Sequence, residues 1–363
     1  MKSRRNAIGA AICAVILILG LDAALFRSGW YTPYIEPDSS AGAVQLMLLS
    51  VRDQQAKWKE PLVLTLGDSR MNYSAKLANE YCAKQQYHFR FTHGGVAGTN
   101  PRCWHYTLRE ADPTARRYQA IVFPVDDFDD EDTGIDYSDY PLDVNYLSLL
   151  LGWRDLFDYP RTYTTQKYAN EAWRTCLFKG SAMQPDIQAL LADPAARLSH
   201  ARTMRDWWPN GSYEYLEDEK NVEGLSIDWL TMKAKYPSWA DDFFEETVRT
   251  VLLRKPSPQT GRYGKYRREW FGRIFERYKD SPTKLIFVKL PRGPIVRPTE
   301  LHQPVSHSVR EFARVRNVRL GDEHRYEEIE RPALFKDALH MNRAGSTQYG
   351  LMLSDEIQTI LRN

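Results

Sequence analysis

Residues 61–70 read PLVLTLGDSR, an apolar run that ends in glycine followed by three polar side chains. A continuous apolar run of this length is typical of a strand buried on both faces of a parallel sheet. The residues from Ser69 to Gln85 suit a helix, so the stretch predicts a strand, a tight turn and a helix. A serine at such a turn lies at the sheet edge, where its own N–H can face an oxyanion. The alternative is that Asp68 or Ser69 only caps the helix.

Three more apolar segments predict strands, at His88–Thr92, Ala120–Pro124 and Lys284–Leu290. Strands that alternate with helices favour an α/β fold with a doubly wound parallel sheet between layers of helices. The carboxyl ends of such strands form the functional edge of the sheet. Residues 135–282 interrupt the alternation and are rich in Trp, Tyr and amphipathic helical patterns, so we expect a largely helical insertion there.

Polar groups follow the other predicted strands as well. The block His93–Asn100 holds Gly94, Gly95 and Gly98, which permit exposed N–H groups of the kind an oxyanion site requires. The alternative is a flexible turn. The third strand ends in Asp126 and Asp127, which could enter a site, whereas we expect residues 129–132 to form a solvated acidic loop. The position of Tyr140 excludes an EF-hand, which needs a glutamate at the twelfth position of its loop.

Asp337 and His340 form a D-x-x-H motif just before a final amphipathic helix. A carboxylate one turn before an imidazole can accept a hydrogen bond from Nδ1–H and leave Nε2 free as a base. A serine, a glycine loop and this motif would meet at one edge of the predicted sheet. Polar neighbours that could line the same site are Asp68, Arg70, Asn100, Asp126, Asp127, Arg292 and Asn342.

This set of motifs resembles the SGNH/GDSL hydrolase superfamily over roughly residues 61–130 and 283–363. The resemblance implies Ser69 as nucleophile, His340 as base, Asp337 as its orienting carboxylate, and the N–H groups of Ser69 and Gly98 as oxyanion donors. It implies no cofactor and no metal. Arg70 stands where the family has leucine, and Asp126 where it usually has asparagine. An ionised aspartate repels an oxyanion, so Asp126 must be protonated, turned away or engaged in another task.

The first 27 residues predict a membrane anchor. Three cations precede the apolar run at residues 7–26, which contains one acid, Asp22. We expect an uncleaved single-pass helix in the cytoplasmic membrane, with Trp30, Tyr31 and Tyr34 at the interface and the C-terminal body on the extracytoplasmic side. A removed signal peptide and a buried helix are the alternatives. Residues 28–60 are predicted as a connector with a short helix, and residues 61–363 as the SGNH-like domain with its insertion.

An anchor before such a domain resembles the membrane-anchored accessory proteins of alginate O-acetylation and D-alanine transfer. This resemblance implies an acyltransferase or esterase acting on an envelope polysaccharide in the periplasm, beside a membrane-bound O-acyltransferase. The chain's 49 basic and 47 acidic residues nearly cancel, which gives no reason to expect nucleic-acid binding. Cys82 and Cys103 could form a disulfide or remain free thiols.

The alternative function is a catalytically silent assembly protein that binds a glycan or partner through its insertion. Aromatic side chains suited to sugar stacking are Trp207, Trp208, Tyr213 and Tyr215. Residues 254–279 also form a basic segment that could meet lipid headgroups or an acidic polymer. The competing interpretation is a solvated helix packed by one aromatic stripe, formed by Tyr266, Trp270, Ile274 and Tyr278.

Overall fold

The computed structural model describes residues 2–131, 137–211, 219–254 and 261–362, and their side chains except those of 2–7, 72–76 and 207–211. These residues belong to two compact units. The first comprises Met1–Leu48 and Ser138–Pro209, and the second comprises Leu49–Tyr137 and Asn210–Asn363. The division cuts across the predicted connector and insertion, because residues 138–209 group with the N-terminal segment and residues 210–282 with the sheet.

The second unit is built on a five-stranded parallel sheet. Its strands are β1 (Leu62–Thr65), β2 (Arg90–His93), β3 (Ala120–Val125), β6 (Lys284–Lys289) and β7 (Val318–Leu320), with a separate antiparallel pair, β4 (Ser226–Asp228) and β5 (Lys233–Lys235). The spatial order is β2-β1-β3-β6-β7, and every pairing in this sheet is parallel. The sequence predicted β1, β2, β3 and β6. It did not predict β7, because a strand of three residues is too short to show an apolar pattern.

Helices cover both faces of this sheet, as predicted for an α/β fold. The helices of the second unit are α3 (Asn72–Lys84), α4 (Pro101–Ala111), α10 (Asp242–Thr247), α11 (Arg262–Tyr278), α12 (Ser308–Phe312) and α13 (Arg343–Arg362), and α2 (Ser40–Lys57) carries residues of both units. On one face, α3 and α13 enclose Val63, Val122 and Ile286. On the other, Trp104 of α4 and Phe271 of α11 pack around Phe123.

The strand order predicts which edge of the sheet would bind a ligand. The chain passes from β1 to β2 on one side and returns to β3 on the other, so the order reverses between β1 and β3. Ligands of open α/β sheets bind outside the carboxyl ends of the strands at such a reversal. The turn Gly67–Ser69, called the GDS turn below, follows β1, and Asp126 follows β3, so both lie at this reversal.

Among the residues that the structure describes, one helix of the first unit is long and apolar enough to cross a membrane. The helix α1 (Lys2–Asp22) continues into a π-helical turn, Ala23–Arg27, and residues 8–27 have a mean hydropathy of 2.5. The other helices are α5 (Leu142–Leu147), α6 (Gln166–Leu177), α7 (Lys179–Ala182), α8 (Gln184–Ala192) and α9 (Pro194–Gly211). The helical content predicted for the insertion is therefore present in its described part.

Two polar side chains of the apolar segment hold its end within the first unit. Asp22 accepts a hydrogen bond from Gly180 N at 2.7 Å, and Arg27 donates to the carbonyls of Cys176 and Leu177 at 2.8 and 2.9 Å. These contacts give the acid in the apolar run a structural role. Tyr31 is also buried and donates to Asp186, so its predicted place at a membrane interface is wrong, whereas Trp30 is exposed.

Candidate active site

The GDS turn presents Ser69 ahead of a helix rather than inside one. Gly67 has φ +137°, and a Cβ there would meet Met71 Cγ at 2.7 Å and Pro124 Cγ at 2.8 Å, so only glycine fits. Met71 N donates to Asp68 O at 3.2 Å and closes a turn with Ser69 at its second position. The helix α3 begins only at Asn72 and has no side-chain cap, so the predicted helix start at Ser69 and the capping alternative are both wrong.

The side chains of Ser69, His340 and Asp337 form a connected hydrogen-bonded chain. Ser69 Oγ lies 2.8 Å from His340 Nε2, and His340 Nδ1 lies 2.9 Å from Asp337 Oδ2. Separations of about 2.6–3.2 Å are those required between a nucleophile, its base and the group that orients the base. All three residues are partly exposed, so a substrate can reach them.

The loop that carries His340 is held by its own backbone. Lys336 N donates to His340 O at 2.9 Å, and Phe335 and Met341 form an isolated antiparallel bridge. Asp337 Oδ1 accepts from the N–H groups of Leu339 and His340, both at 2.7 Å. One carboxylate therefore fixes both the loop and the imidazole. Burial alone would raise the pKa of Asp337, but the hydrogen bonds from His340 and these N–H groups bring it below its usual value.

The glycine block contains the second candidate oxyanion donor, Gly98 N, and is joined to the turn after β1 by hydrogen bonds from Val96 N and Thr99 Oγ1 to Gly67 O. Thr99 N donates to Val96 O at 3.2 Å, and Gly98 at the third position of this turn has φ +73°, as a type II turn requires. Within the described part of the chain, neither Ser69 N nor Gly98 N donates to a protein acceptor. The fold therefore uses neither N–H group, and their role as oxyanion donors stays a prediction of the resemblance.

Arg70 and Asp126, the two departures from the family pattern, pair with each other. Arg70 Nη1 lies 2.5 Å from Asp126 Oδ1, while its Nη2 and Nε donate to Asp68 at 2.8 and 3.1 Å. Burial alone would lower the pKa of Arg70, but the two carboxylates raise it well above its usual value. Asp126 was expected to be protonated, turned away or engaged in another task. The structure supports the third alternative, because its carboxylate forms an ion pair with Arg70.

A cavity of about 70 Å³ lies against this pair. Its walls come from the end of β1 (Asp68, Arg70), the loop after β2 (Thr99, Asn100) and the end of β3 (Val125, Asp126). Aromatic and basic side chains close it from α11 and a neighbouring loop: Tyr137, Tyr263, Arg267 and Phe271. Sequence reasoning did not find these four, because their distance along the chain gives no signal of proximity.

The two asparagines named from the sequence are engaged in the framework. Asn100 caps α4 by accepting from the N–H groups of Arg102 and Cys103, and it also accepts from Tyr266 Oη at 2.8 Å. Asn342 donates to Lys220 O and Ala333 O and accepts from Gly345 N at the start of α13. Both are buried, so we assign them to positioning the loops rather than to contact with a substrate.

Asp127 and Arg292 face a second cavity, of about 440 Å³. Arg292 Nη2 donates to Asp127 Oδ2 at 2.9 Å, and its backbone N–H donates to Glu330 Oε1 at 2.8 Å. Burial raises the pKa of Asp127 to about 6 even though Arg267 and Arg292 oppose the shift. Burial likewise raises the pKa of Glu330 to about 7. These residues form a charged cluster beyond the ends of β3 and β6, next to the triad's edge of the sheet.

The described part of the acidic loop, up to Glu131, is paired rather than solvated. Asp130 is 1% exposed and accepts from Arg267 Nη1 at 2.8 Å and from Ser308 N at 2.9 Å. Asp129 pairs with Arg310 at 2.6 Å, and Glu131 with Arg297 at 3.0 Å. The expectation of a solvated loop is therefore wrong here, since its cationic partners lie more than 130 positions further along the chain.

The competing interpretation of the basic segment is confirmed over α11. Its aromatic stripe is buried, with Tyr266 3% exposed and Trp270, Ile274 and Tyr278 fully buried. It is therefore not available to lipid or polymer. The side chains of Trp207 and Trp208, and all of Tyr213 and Tyr215, lie outside the described residues. Cys82 and Cys103 are buried and form no disulfide.

Among the described side chains, one group of possible metal ligands in the first unit has its ligand atoms within 4.8 Å of one another: Glu36, Asp38 and His200. Glu36 already pairs with the buried Arg197 at 2.8 Å, and His200 lies 3.3 Å from the same carboxylate. These ion pairs account for the cluster, so we assign no metal to it.

No family model matches the chain, and no curated protein is similar enough to count as a match.

Proposed function

We propose that this chain is a membrane-anchored serine acyltransferase or esterase of the SGNH type, acting on O-acyl groups of an envelope polysaccharide. The observation that carries the proposal is the triad geometry: Ser69 Oγ is 2.8 Å from His340 Nε2, and His340 Nδ1 is 2.9 Å from Asp337. The sheet supports it too, because Ser69 lies at the point where the strand order reverses.

In the first half-reaction, Ser69 Oγ attacks the carbonyl carbon of an acyl donor while His340 Nε2 takes the hydroxyl proton. The carbonyl oxygen becomes an oxyanion, which accepts hydrogen bonds from Ser69 N and Gly98 N. Asp337 accepts from Nδ1–H and stabilises the imidazolium. The donor's leaving group then departs with the proton from His340, and an acyl-serine ester remains.

In the second half-reaction, a hydroxyl group attacks the acyl-serine. His340 takes its proton, the oxyanion forms again in the same place, and the proton returns to Ser69 Oγ as the ester bond to the serine breaks. A polysaccharide hydroxyl yields a transferred acyl group, and water yields a free acid. The same triad serves both outcomes.

The N-terminal helix supports a location at the cytoplasmic membrane. The basic residues before α1 favour a cytoplasmic N-terminus and an extracytoplasmic body. There the enzyme would lie close to acyl groups delivered by a membrane-bound O-acyltransferase and to an exported polysaccharide. This partner and this acceptor are part of the proposal.

Ser69→Ala in the full-length protein tests the mechanism. The matched control is Ser238→Ala, which removes the same hydroxyl from an exposed position in the same unit. We expect Ser69→Ala to abolish hydrolysis of an aryl acetate and polymer acylation in cells, and the control to retain both. Equal thermal melting of the two variants in detergent would show that folding is intact.

Trapping the intermediate provides the second readout. Rapid acid quenching with an aryl acetate should add one acetyl group to the peptide that carries Ser69, detected by mass spectrometry. A folded Ser69→Ala protein that still supported full acylation of the polymer would overturn the covalent mechanism. The silent assembly role would then take its place.

A further inference from the structure

Arg70 and Asp126 meet at the ends of β1 and β3, two of the three strand ends from which the SGNH pattern takes its oxyanion donors. The cavity between β1, the glycine block and β3 is lined by both side chains. Ser69 N and Gly98 N come from two of these three segments. In the SGNH pattern, the third segment supplies an asparagine amide, but here it supplies a carboxylate.

The charge on Asp126 has a partner at hydrogen-bond distance. Arg70 Nη1 contacts Asp126 at 2.5 Å; the Arg70 side chain is 15% exposed, whereas that of Asp126 is 50% exposed. Without the guanidinium, the carboxylate would carry an unneutralised charge at the strand end where the proposed reaction creates negative charge. Like charges at close range disfavour each other, although water that reaches Asp126 weakens this repulsion.

The guanidinium also retains free donors. Arginine has five N–H groups, and contacts to described residues use one on Nε, one on Nη1 and one on Nη2. One N–H on each terminal nitrogen is therefore left. Asp68 and Asp126 together fix the plane of the guanidinium, because they bind it from two sides. A donor that is already oriented needs no reorganisation when the oxyanion forms.

We propose that Arg70, neutralising and held by Asp126, replaces the asparagine amide as the third oxyanion donor. Arg70 is then a catalytic residue and Asp126 a positioning residue. This inference rests on the proposed serine mechanism. One arrangement then explains both departures from the family pattern. Asp126 needs the charge of Arg70 to neutralise it, and Arg70 needs the carboxylate of Asp126 to hold it in place.

The test is a double-mutant cycle in the full-length protein, with aryl acetate hydrolysis as the readout. Arg70→Leu alone leaves the carboxylate unneutralised, so kcat should fall about 10²-fold or more, the size of effect seen when an oxyanion donor is removed. The double variant Arg70→Leu/Asp126→Asn restores the family's residue pair, and its kcat should be at least tenfold higher than that of Arg70→Leu. Asp126→Asn alone should change kcat by less than Arg70→Leu, because Asp68 still holds Arg70.

The matched control is Arg314→Leu, at an exposed arginine of the same unit, which should leave kcat and KM unchanged. If Arg70→Leu does not fold, Arg70→Gln takes its place, since glutamine donates but carries no charge. It should lose about tenfold or more in kcat, and Asp126→Asn should again restore activity. A purely structural role would lower the melting temperature without this recovery of kcat.

A folded Arg70→Leu or Arg70→Gln protein with the wild-type kcat would overturn the inference. A double variant no more active than its single Arg70 parent would do the same. Ser69→Ala separates this failure from that of the mechanism. If Ser69→Ala is inactive while the Arg70 variants are active, only the inference falls, whereas an active Ser69→Ala protein removes both.

Discussion

Ser69 of the candidate triad and the acidic loop follow neighbouring strands of one sheet, but the triad and the loop are stabilised in opposite ways. Asp337 and His340 are three residues apart and hold each other with local hydrogen bonds, so a single long-range contact, from Ser69 to His340, completes the triad. Asp130 depends instead on Arg267, 137 positions away, and Asp129 on Arg310, 181 positions away. The difference indicates that a local motif holds most of the candidate triad in place, whereas long-range charge pairs hold the acidic loop.

The largest effect should come from breaking the triad. His340→Ala should lower kcat by about 10⁴-fold or more, because neither the base nor its orienting hydrogen bond remains. The double variant Ser69→Ala/His340→Ala should be no worse than either single variant, since residues that act as a unit are not additive. Hydrolysis of an aryl acetate by full-length protein measures this. Additive losses in the double variant would contradict the assignment of both residues to one step.

Stability should be most sensitive at Asp130. Asp130→Ala should lower the free energy of unfolding by about 3–5 kcal/mol, because Arg267 would keep its charge in a buried site without its closest carboxylate. Thermal unfolding of the full-length protein in detergent measures the loss. A melting temperature equal to that of the wild type would show that the loop does not depend on this buried pair.

The geometry of the candidate triad could be predicted because its signals are short and local. They are a serine at the end of an apolar strand, a block of glycines after the next strand, and a carboxylate three residues before a histidine. The four longer strands could be predicted for the same reason, since a buried strand is a continuous apolar run. These features need no knowledge of which distant segments meet.

The acidic loop could not be assigned in this way. A run of aspartates has the same sequence whether it is solvated or paired, and the pairing depends on the packing of α11 and α12 against the end of β3. Tyr31 illustrates the same limit, because its partner Asp186 is 155 positions away. The Arg70–Asp126 pair is an intermediate case. The sequence shows that both residues differ from the pattern that the chain resembles, but only the fold shows that they contact each other.

The buried carboxylate of Glu330 should give a smaller, pH-dependent effect. Its native pKa of about 7 exceeds the usual 4.5, so the native state holds this proton more tightly than the unfolded state does. The free energy of unfolding of the wild type should therefore fall as the pH rises from about 4.5 to 7, because the native state must then ionise a buried carboxyl group.

Glu330→Gln stays neutral and can still accept from Arg292 N, so it tests this effect. The variant should match the wild type near pH 5 and exceed it near pH 8 by on the order of 3 kcal/mol, since one pKa unit corresponds to about 1.4 kcal/mol. Thermal unfolding at the two pH values measures the difference. Glu223→Gln, at an exposed position, is the control and should show no such pH dependence. A constant difference between Glu330→Gln and the wild type would contradict the raised pKa.

The smallest effect should come from Asp129, next to Asp130 in the same loop. Its carboxylate pairs with Arg310 at 2.6 Å and His307 at 2.7 Å, but the side chains of these partners are 43% and 58% exposed. Exposed ion pairs contribute little and are screened by salt, so Asp129→Asn should cost less than about 1 kcal/mol, and less still at high ionic strength. Thermal unfolding beside Asp130→Ala, at low and high salt, measures the contrast. Because the two residues carry the same charge on the same loop, losses of equal size would mean that burial does not decide which carboxylates hold this edge of the sheet.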